Sequence, residues 1–208
     1  KIKDYALHTR KGLEKAASDF RNVYLKSIHR YANVINSPGS TGDNINNSKN
    51  CKFCFDIYHD VEDAKYLFSA LSLKDNYDGN GIYKNNFSYE LVDANVGSNN
   101  VASVTIYDSD HVQYSLDCHG SSYLFGCIGL RSKKYCILNK QYSKNEYEEL
   151  LPKIINHMNE RPFTDKGGRK YQHGDFFPIE LSPHAYNETI AQEYYTLIKD
   201  EAEKRLFE

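Results

Sequence analysis

Two patterns of apolar spacing divide the chain. Leu13, Ala17, Phe20, Val23, Tyr24, Ile28 and Tyr31 recur three and four residues apart with Lys and Arg between them, the stripe of an amphipathic helix. Pro38, Gly39 and Gly42 in NSPGSTGDNINNSK predict that this helix stops near Asn36 and gives way to a loop. Between Asn50 and Tyr142 short β-favouring phrases (FCFDIY, YLFSAL, YELV, SVTIY, VQYSL, YLFGCIGL, YCIL) return among Asn, Asp, Ser and Gly. The phrases recur every roughly 9–14 residues, too short for a helical repeat and right for turns of a parallel β-solenoid. Gly79, Gly81 and Gly97 are expected at tight corners, with alternate side chains of each strand pointing in and out. Cys118, Cys127 and Cys136 stand nine residues apart, as do Tyr114 and Tyr123, and are expected to stack as ladders.

After Tyr142 the helical period returns. Ser143 and Glu146 make a capping box, and Tyr147, Leu150, Leu151, Ile154, Ile155 and Met158 form an apolar face that Pro152 should kink or weaken. DKGGRKYQHGDFFPIELSPHAY is turn-rich, and residues 187–193 and 199–206 read as short helices. The predicted fold is mainly β with helical ends: an N-terminal capping helix over 1–36, a β-repeat domain over 44–142, and a helical segment over 143–208 packed on it. The competing fold is an irregular α+β arrangement with an antiparallel sheet. A helix before a solenoid has a ready task, because the open end exposes unpaired edge and apolar core.

Composition narrows the function classes. The 208 residues are enough for a real core, and 40% hydrophobic with 26% charged residues describes a globular chain. A net charge of −2 supplies no field for recruiting nucleic acid or anionic membrane. No apolar run approaches a membrane span, and the charged opening KIKDYALHTRKGLEK is not a secretory leader. Five Cys with irregular spacing point to reduced thiols and a cytoplasmic setting.

The candidate chemistry is sparse. Cys51 and Cys54 form half of a zinc knuckle with no second CxxC, so a metal is not expected and zinc is the only cofactor in view. Cys118 or Cys127 could act as a nucleophile with His119 or His157 as base, His173 as another base, and Asp117 as the orienting acid. Stacked core thiols are the simpler account. Arg131, Lys133, Lys134, Tyr135 and Lys140, with Tyr142, are the best basic-aromatic patch for nucleic acid, the simpler account being a charged rim. Asp56, Asp60, Glu62, Asp63, Asp75 and Asp78 match no calcium motif and read as a solvated acidic face. Gly126, Gly129, Gly167 and Gly168 lack the companions of a phosphate loop.

The phrases NNSKNCKFCFDIYHDVEDAKY, FGCIGLRSKKYCILNKQYSKNEYEELLPKIINHM and GDFFPIELSPHAYNETIAQEYYTLIKDEA resemble an uncharacterised protein family from candidate-phyla-radiation bacteria, over about Gly42 to Ala202. The resemblance implies relatives richer in Cys within the repeat, many continuing into zinc-ribbon-like C-terminal segments. It supplies no activity. The expectation is a cytoplasmic, non-enzymatic binding or assembly module that meets a protein partner or a second copy of itself. The alternatives are a Cys-dependent hydrolase and, from the tails of the apparent relatives, a nucleic-acid-associated protein.

Overall fold

The computed structural model describes residues 5–205. It divides into one compact unit ending at Asn33 and a second running from Val34 onward. The first unit holds α1 (Arg10–Lys26), whose N-cap Thr9 accepts the Gly12 N–H at 3.0 Å. Ser27 ends this helix, so Ile28 and Tyr31 of the predicted stripe lie beyond it. No residue of α1 is buried.

The second unit is a parallel β-solenoid of about nine turns followed by helices. Its strands are β1 (Val34–Ile35), β2 (Gly42–Asn46), β3 (Lys49–Lys52), β4 (Cys54–Ile57), β5 (Val61–Leu71), β6 (Leu73–Ser98), β7 (Val101–Gln113), β8 (Leu116–His119), β9 (Ser122–Phe125) and β10 (Lys134–Ile137). All pairings among them are parallel. From Val61↔Leu73 through Tyr89↔Val101 and Val104↔Leu116 to Ser122↔Lys134 the offset is twelve residues. One insertion between Ile57 and Val61 makes the Phe55↔Phe68 offset thirteen, and the first rung is eleven (Val34↔Ile45). The solenoid therefore starts at Val34. The segment read as a loop around Pro38 is part of the first turns, hydrogen-bonded by Asn50 N–H to Pro38 C=O and Thr41 N–H to Cys51 C=O.

The period within a rung is three, not the two expected of strands. Residues 61, 64, 67, 70 and 73 are buried, and the pattern continues at 82, 85, 88, 91 and 94 and at 100, 103, 106, 109 and 112. The cause is backbone. Nearly every third residue is left-handed, from Asn44 (φ 54°) through Asp63 (51°), Asp75 (53°), Tyr114 (51°) and Asp117 (54°) to Tyr135 (56°). Each such residue turns the chain through a corner and delivers the next side chain inward. An L residue held there costs about 1–2 kcal/mol, least for Gly, Asn and Asp, which explains the Asn- and Asp-rich composition. Successive left-handed residues also support each other: Asn44 Nδ2 donates to Asp56 Oδ1 at 2.7 Å and Asn50 Nδ2 to Asp63 Oδ1 at 2.8 Å. Gly79 and Gly97 serve differently from the corner role expected of them. Neither has positive φ, and a Cβ would lie 2.2 Å from Ile82 Cδ1 or from Ser109 O, respectively.

The interior alternates in size and chemistry. Ile57, Ala70 and Ile82 stack on successive rungs, as do Ala94, Ile106 and Cys118, so each large side chain meets a small one above or below. Two apolar clusters result, one from Ile45 to Ala94 and one from Ile106 to Cys136. Buried Asn85, Ser88, Asn100, Ser103 and Ser109 fall in the stretch between and around their junction. The buried serines act alike. Each donates to the carbonyl two residues back and accepts the amide of the next rung: Ser103 bonds Val101 C=O and Ser115 N–H, and Ser115 bonds Gln113 C=O and Cys127 N–H. Inward polar side chains thus satisfy amides that a buried rung would otherwise strand.

The last rung folds back through β11 (Lys140–Gln141), antiparallel to β10, which blunts the open edge. α2 (Lys144–Glu160) follows, with the capping box in place: Ser143 Oγ accepts Glu146 N–H at 3.3 Å and Glu146 Oε2 accepts Ser143 N–H at 2.9 Å. Pro152 sits inside an unbroken helix. Its missing N–H is outweighed by packing of Tyr147, Leu150, Leu151, Ile154, Ile155 and Met158 on Phe125, Ile137, Tyr123 and Tyr135. A short hairpin, β12 (Phe163–Thr164) with β13 (Lys170–Tyr171), comes next. Then 3-10 turns at Ile179–Leu181 and Tyr186–Glu188 precede α3 (Ala191–Tyr194) and α4 (Lys199–Lys204). Leu206 of the predicted final helix lies outside the described residues.

Candidate functional site

A twelve-residue rung rearranges the candidate chemistry. Nine residues is three corners, not a full turn, so Cys118, Cys127 and Cys136 wind diagonally through the core instead of stacking. Cys118 Sγ approaches Cys127 O at 3.6 Å and Cys127 Sγ approaches Cys136 O at 3.4 Å. All three thiols are buried, and burial pushes each of them up. Cys51 and Cys54 are also interior and free. The Cys51 thiol is pushed up, first by its hydrogen bond with Cys54 and then by burial. A zinc site needs both thiols deprotonated and about two further ligands. Among the described residues no group of three or more His, Cys, Asp or Glu is placed to hold an ion.

The proposed nucleophile and base are not brought together. Cys118 points inward while His119 points outward, its ring tilted 32° against Tyr107 with centroids 4.6 Å apart. Asp117 does stand beside His119, Nε2 to Oδ1 3.2 Å, but Arg131 takes both oxygens of the same carboxylate at 3.0 Å. The result is an outer-face His–Asp–Arg cluster with no thiol. His157 lies on the last turn of α2, and His173 Nε2 is 2.9 Å from Gln113 Oε1, its imidazole held low by burial. The basic-aromatic patch disperses in the same way. Arg131 is committed to Asp117, Lys140 lies over Tyr142 at 5.0 Å, and Tyr135 is stacked on Tyr123 beneath Tyr147. Lys133 and Lys134 remain exposed.

Two surface features went unread. The first is an aromatic corner on the early rungs. Residues twelve or thirteen apart stack outside as well as inside, so Phe53 lies on Tyr66 with centroids 5.5 Å apart, and Phe55 registers with Phe68. Tyr77 follows Lys65 in a neighbouring column, with Tyr89 twelve residues on, and all six rings are exposed. Phe53 is the most open at 57%. Lys65 Nζ lies over the Tyr66 ring at 4.6 Å, and Tyr194 meets Phe68 at 6.4 Å. The usable signal was the twelve-residue recurrence of aromatic residues, hidden by the insertion at His59.

The second is a cleft of about 310 Å³ where the C-terminal segment crosses the solenoid. Tyr114 lies in its lining together with Met158, Phe163, Tyr171, Phe176 and Phe177. A larger depression of about 560 Å³ beside Asn36, Ser48, Asp60 and Lys74 is an open polar channel along one corner.

Close to the cleft, Glu90 carries a carboxylate oxygen that is buried without a hydrogen-bond partner. Burial raises its carboxyl, and the charges of Asp78 and Asp175 raise it further. Among the described residues no helix is long and apolar enough to cross a membrane. No protein-family model, curated protein or solved structure matches the chain.

Proposed function

We propose that this chain is a non-enzymatic binding or assembly module of a cytoplasmic protein, with the solenoid acting as a rigid plate for a protein partner or a second copy. The observation that carries the reading is the exposed aromatic corner of Phe53, Phe55, Tyr66, Phe68, Tyr77 and Tyr89, held in fixed register by the rungs beneath it. Clustered exposed aromatic rings are costly in water, and on protein surfaces they commonly mark contact sites. A second support is the sealing of all five thiols, which leaves the hydrolase reading without an accessible nucleophile.

Sedimentation of the wild type beside Phe55→Ser/Phe68→Ser tests the assembly form. Concentration-dependent association that the variant loses supports it, and a monomer at every concentration removes self-association. Thiol labelling of the native chain, with and without a strong chelator, tests the rest. Five slow thiols are expected. One fast thiol, together with a turnover abolished by changing it while the fold survives, would sink the module reading.

A further inference from the structure

We propose that the aromatic cleft between the C-terminal segment and the solenoid binds a compact organic cation of the alkylated-ammonium class. This proposal does not depend on the module reading.

The rings are set at steep mutual angles. Phe163 and Tyr171 face each other across the hairpin with centroids 6.2 Å apart, Phe176 and Phe177 cross at 77°, and Tyr114 meets Phe177 at 88°. Rings from the hairpin, the strap after it and the solenoid all line this one cleft, the kind of aromatic wall that recognises quaternary ammonium. The volume, about 310 Å³, is at the small end of ligand sites.

The walls are fixed before any ligand arrives. Buried Asp165 locks the hairpin by accepting Gly167 N–H at 2.9 Å, Arg169 N–H at 2.8 Å and the Tyr171 hydroxyl at 3.1 Å. The following strap is pinned to α2 and to the solenoid: His173 N–H donates to Asn159 Oδ1 at 3.1 Å and Gly174 N–H to the Tyr114 hydroxyl at 2.6 Å.

The fixed charge on these walls is negative. Asp175 lines the cleft with its carboxylate held by Gln172 N–H at 2.8 Å. Tyr114 and Glu90 are both pushed up, chiefly by burial, and the charge of Asp175 adds a smaller push to each, behind that of Asp78 at Glu90. The C-terminal end of α2, also in the wall, adds the negative pole of its dipole. Arg161 is the opposing cation. It is exposed at the end of α2, and among the described residues no ion pair or side-chain hydrogen bond holds its guanidinium. A charge on a long untethered side chain can turn to solvent, whereas Asp175 is anchored. The His157 imidazole, also in the lining, is exposed.

The test uses the full chain and three probes of one shape and different charge: choline, 3,3-dimethylbutan-1-ol and 3,3-dimethylbutanoate, titrated by calorimetry or by chemical-shift change. Choline is expected to bind about tenfold more tightly than the neutral alcohol. Asp175→Asn, which can still accept the Gln172 amide, should weaken choline severalfold and leave the alcohol unchanged. Phe163→Leu keeps apolar volume and should erase most of the preference for choline. Arg161→Gln should strengthen choline binding. Unchanged thermal midpoints show that each variant is folded. Equal affinity for choline and the alcohol would overturn the proposal in favour of plain apolar capture. Tightest binding of the butanoate would overturn it in favour of an Arg161-governed anion site. No response to choline at the highest soluble concentration would overturn it outright.

Discussion

Replacing Ser115 by Ala isolates the device that makes a polar interior tolerable. Ser115 is fully buried, and its Oγ donates to Gln113 C=O at 2.9 Å while accepting Cys127 N–H at 3.0 Å. The two partners fare differently on truncation. Gln113 C=O keeps the Gly126 N–H at 3.0 Å, but Cys127 N–H loses its acceptor inside the solenoid. A stranded buried donor costs about 1–3 kcal/mol, so Ser115→Ala should lose about 2 kcal/mol in equilibrium denaturation. The exposed Ser132→Ala should fall within about 0.5 kcal/mol of wild type. Hydrogen exchange makes the reading specific, because the Cys127 amide should lose protection more than amides two rungs away. A loss below about 0.5 kcal/mol with the Cys127 amide still protected would refute the reasoning, since the amide would then have another acceptor.

Three further outcomes follow from the same geometry. Ile106→Ala should cost about 2–5 kcal/mol, towards the upper end, because its column neighbours Ala94 and Cys118 are too small to close the cavity; chemical denaturation measures it. Tyr147→Ala should cost about 3–5 kcal/mol and open α2 to limited proteolysis, since this buried ring meets Tyr135 at 5.7 Å and Tyr123 at 6.3 Å and anchors the helix on the last rungs. Glu90→Gln should raise the thermal midpoint at pH 7. The Glu90 carboxyl is raised in the folded state, so between the ordinary carboxylate value and the folded one the fold binds more protons than the unfolded chain does. Stability therefore falls as pH rises from the ordinary carboxylate value through the folded one, and the gap between variant and wild type should close near pH 4. Matching midpoints at pH 7 would show that the buried oxygen is hydrated after all.

What was legible in the sequence was the existence of the repeat and of α2. The phrases between Asn50 and Tyr142 carried β-propensity and corner residues at short intervals, and the Ser143–Glu146 box marked a helix start that no tertiary contact overrode. The rung length was not legible, for two physical reasons. The corners are made by non-glycine residues in the left-handed region, including Phe53, Tyr66 and Val96, and such residues give no turn signal. The inward set also mixes Ile and Ala with Ser, Asn and Gly, so a hydrophobicity pattern shows no clean period three. Counting by Cys then suggested nine, because three inward positions along a square path separate one buried thiol from the next. The cleft was hidden for another reason: Tyr114 and Phe163 are distant in sequence, and only the return of the C-terminal segment across the solenoid assembles them.

The period of three also explains why any function must lie on the outside. With one residue in three turned inward and rungs of eleven to thirteen residues, the interior is filled by single side chains from four columns and leaves no room for a ligand. The other two residues of each triplet face outward at fixed register, and identical register on the next rung multiplies whatever chemistry they carry. The early rungs repeat aromatic rings, and the corner of Phe53, Phe55, Tyr66 and Phe68 results. The late rungs repeat rings too, as in Tyr123 on Tyr135, yet there α2 covers them through Tyr147. The same surface device is thus covered by a helix of this chain at the late rungs, whereas among the described residues no helix of comparable length packs on its early rings, which Tyr194 meets only at Phe68. Closing the late rungs with its own helix shows how the early rungs could be closed by another molecule: an amphipathic surface with Leu, Ile and Tyr at helical spacing, seated on stacked rings. A synthetic α2 segment carrying the Tyr147 face should therefore bind the aromatic corner of the full chain weakly, and Phe55→Ser/Phe68→Ser should abolish that binding while leaving α2 docked on its own rungs.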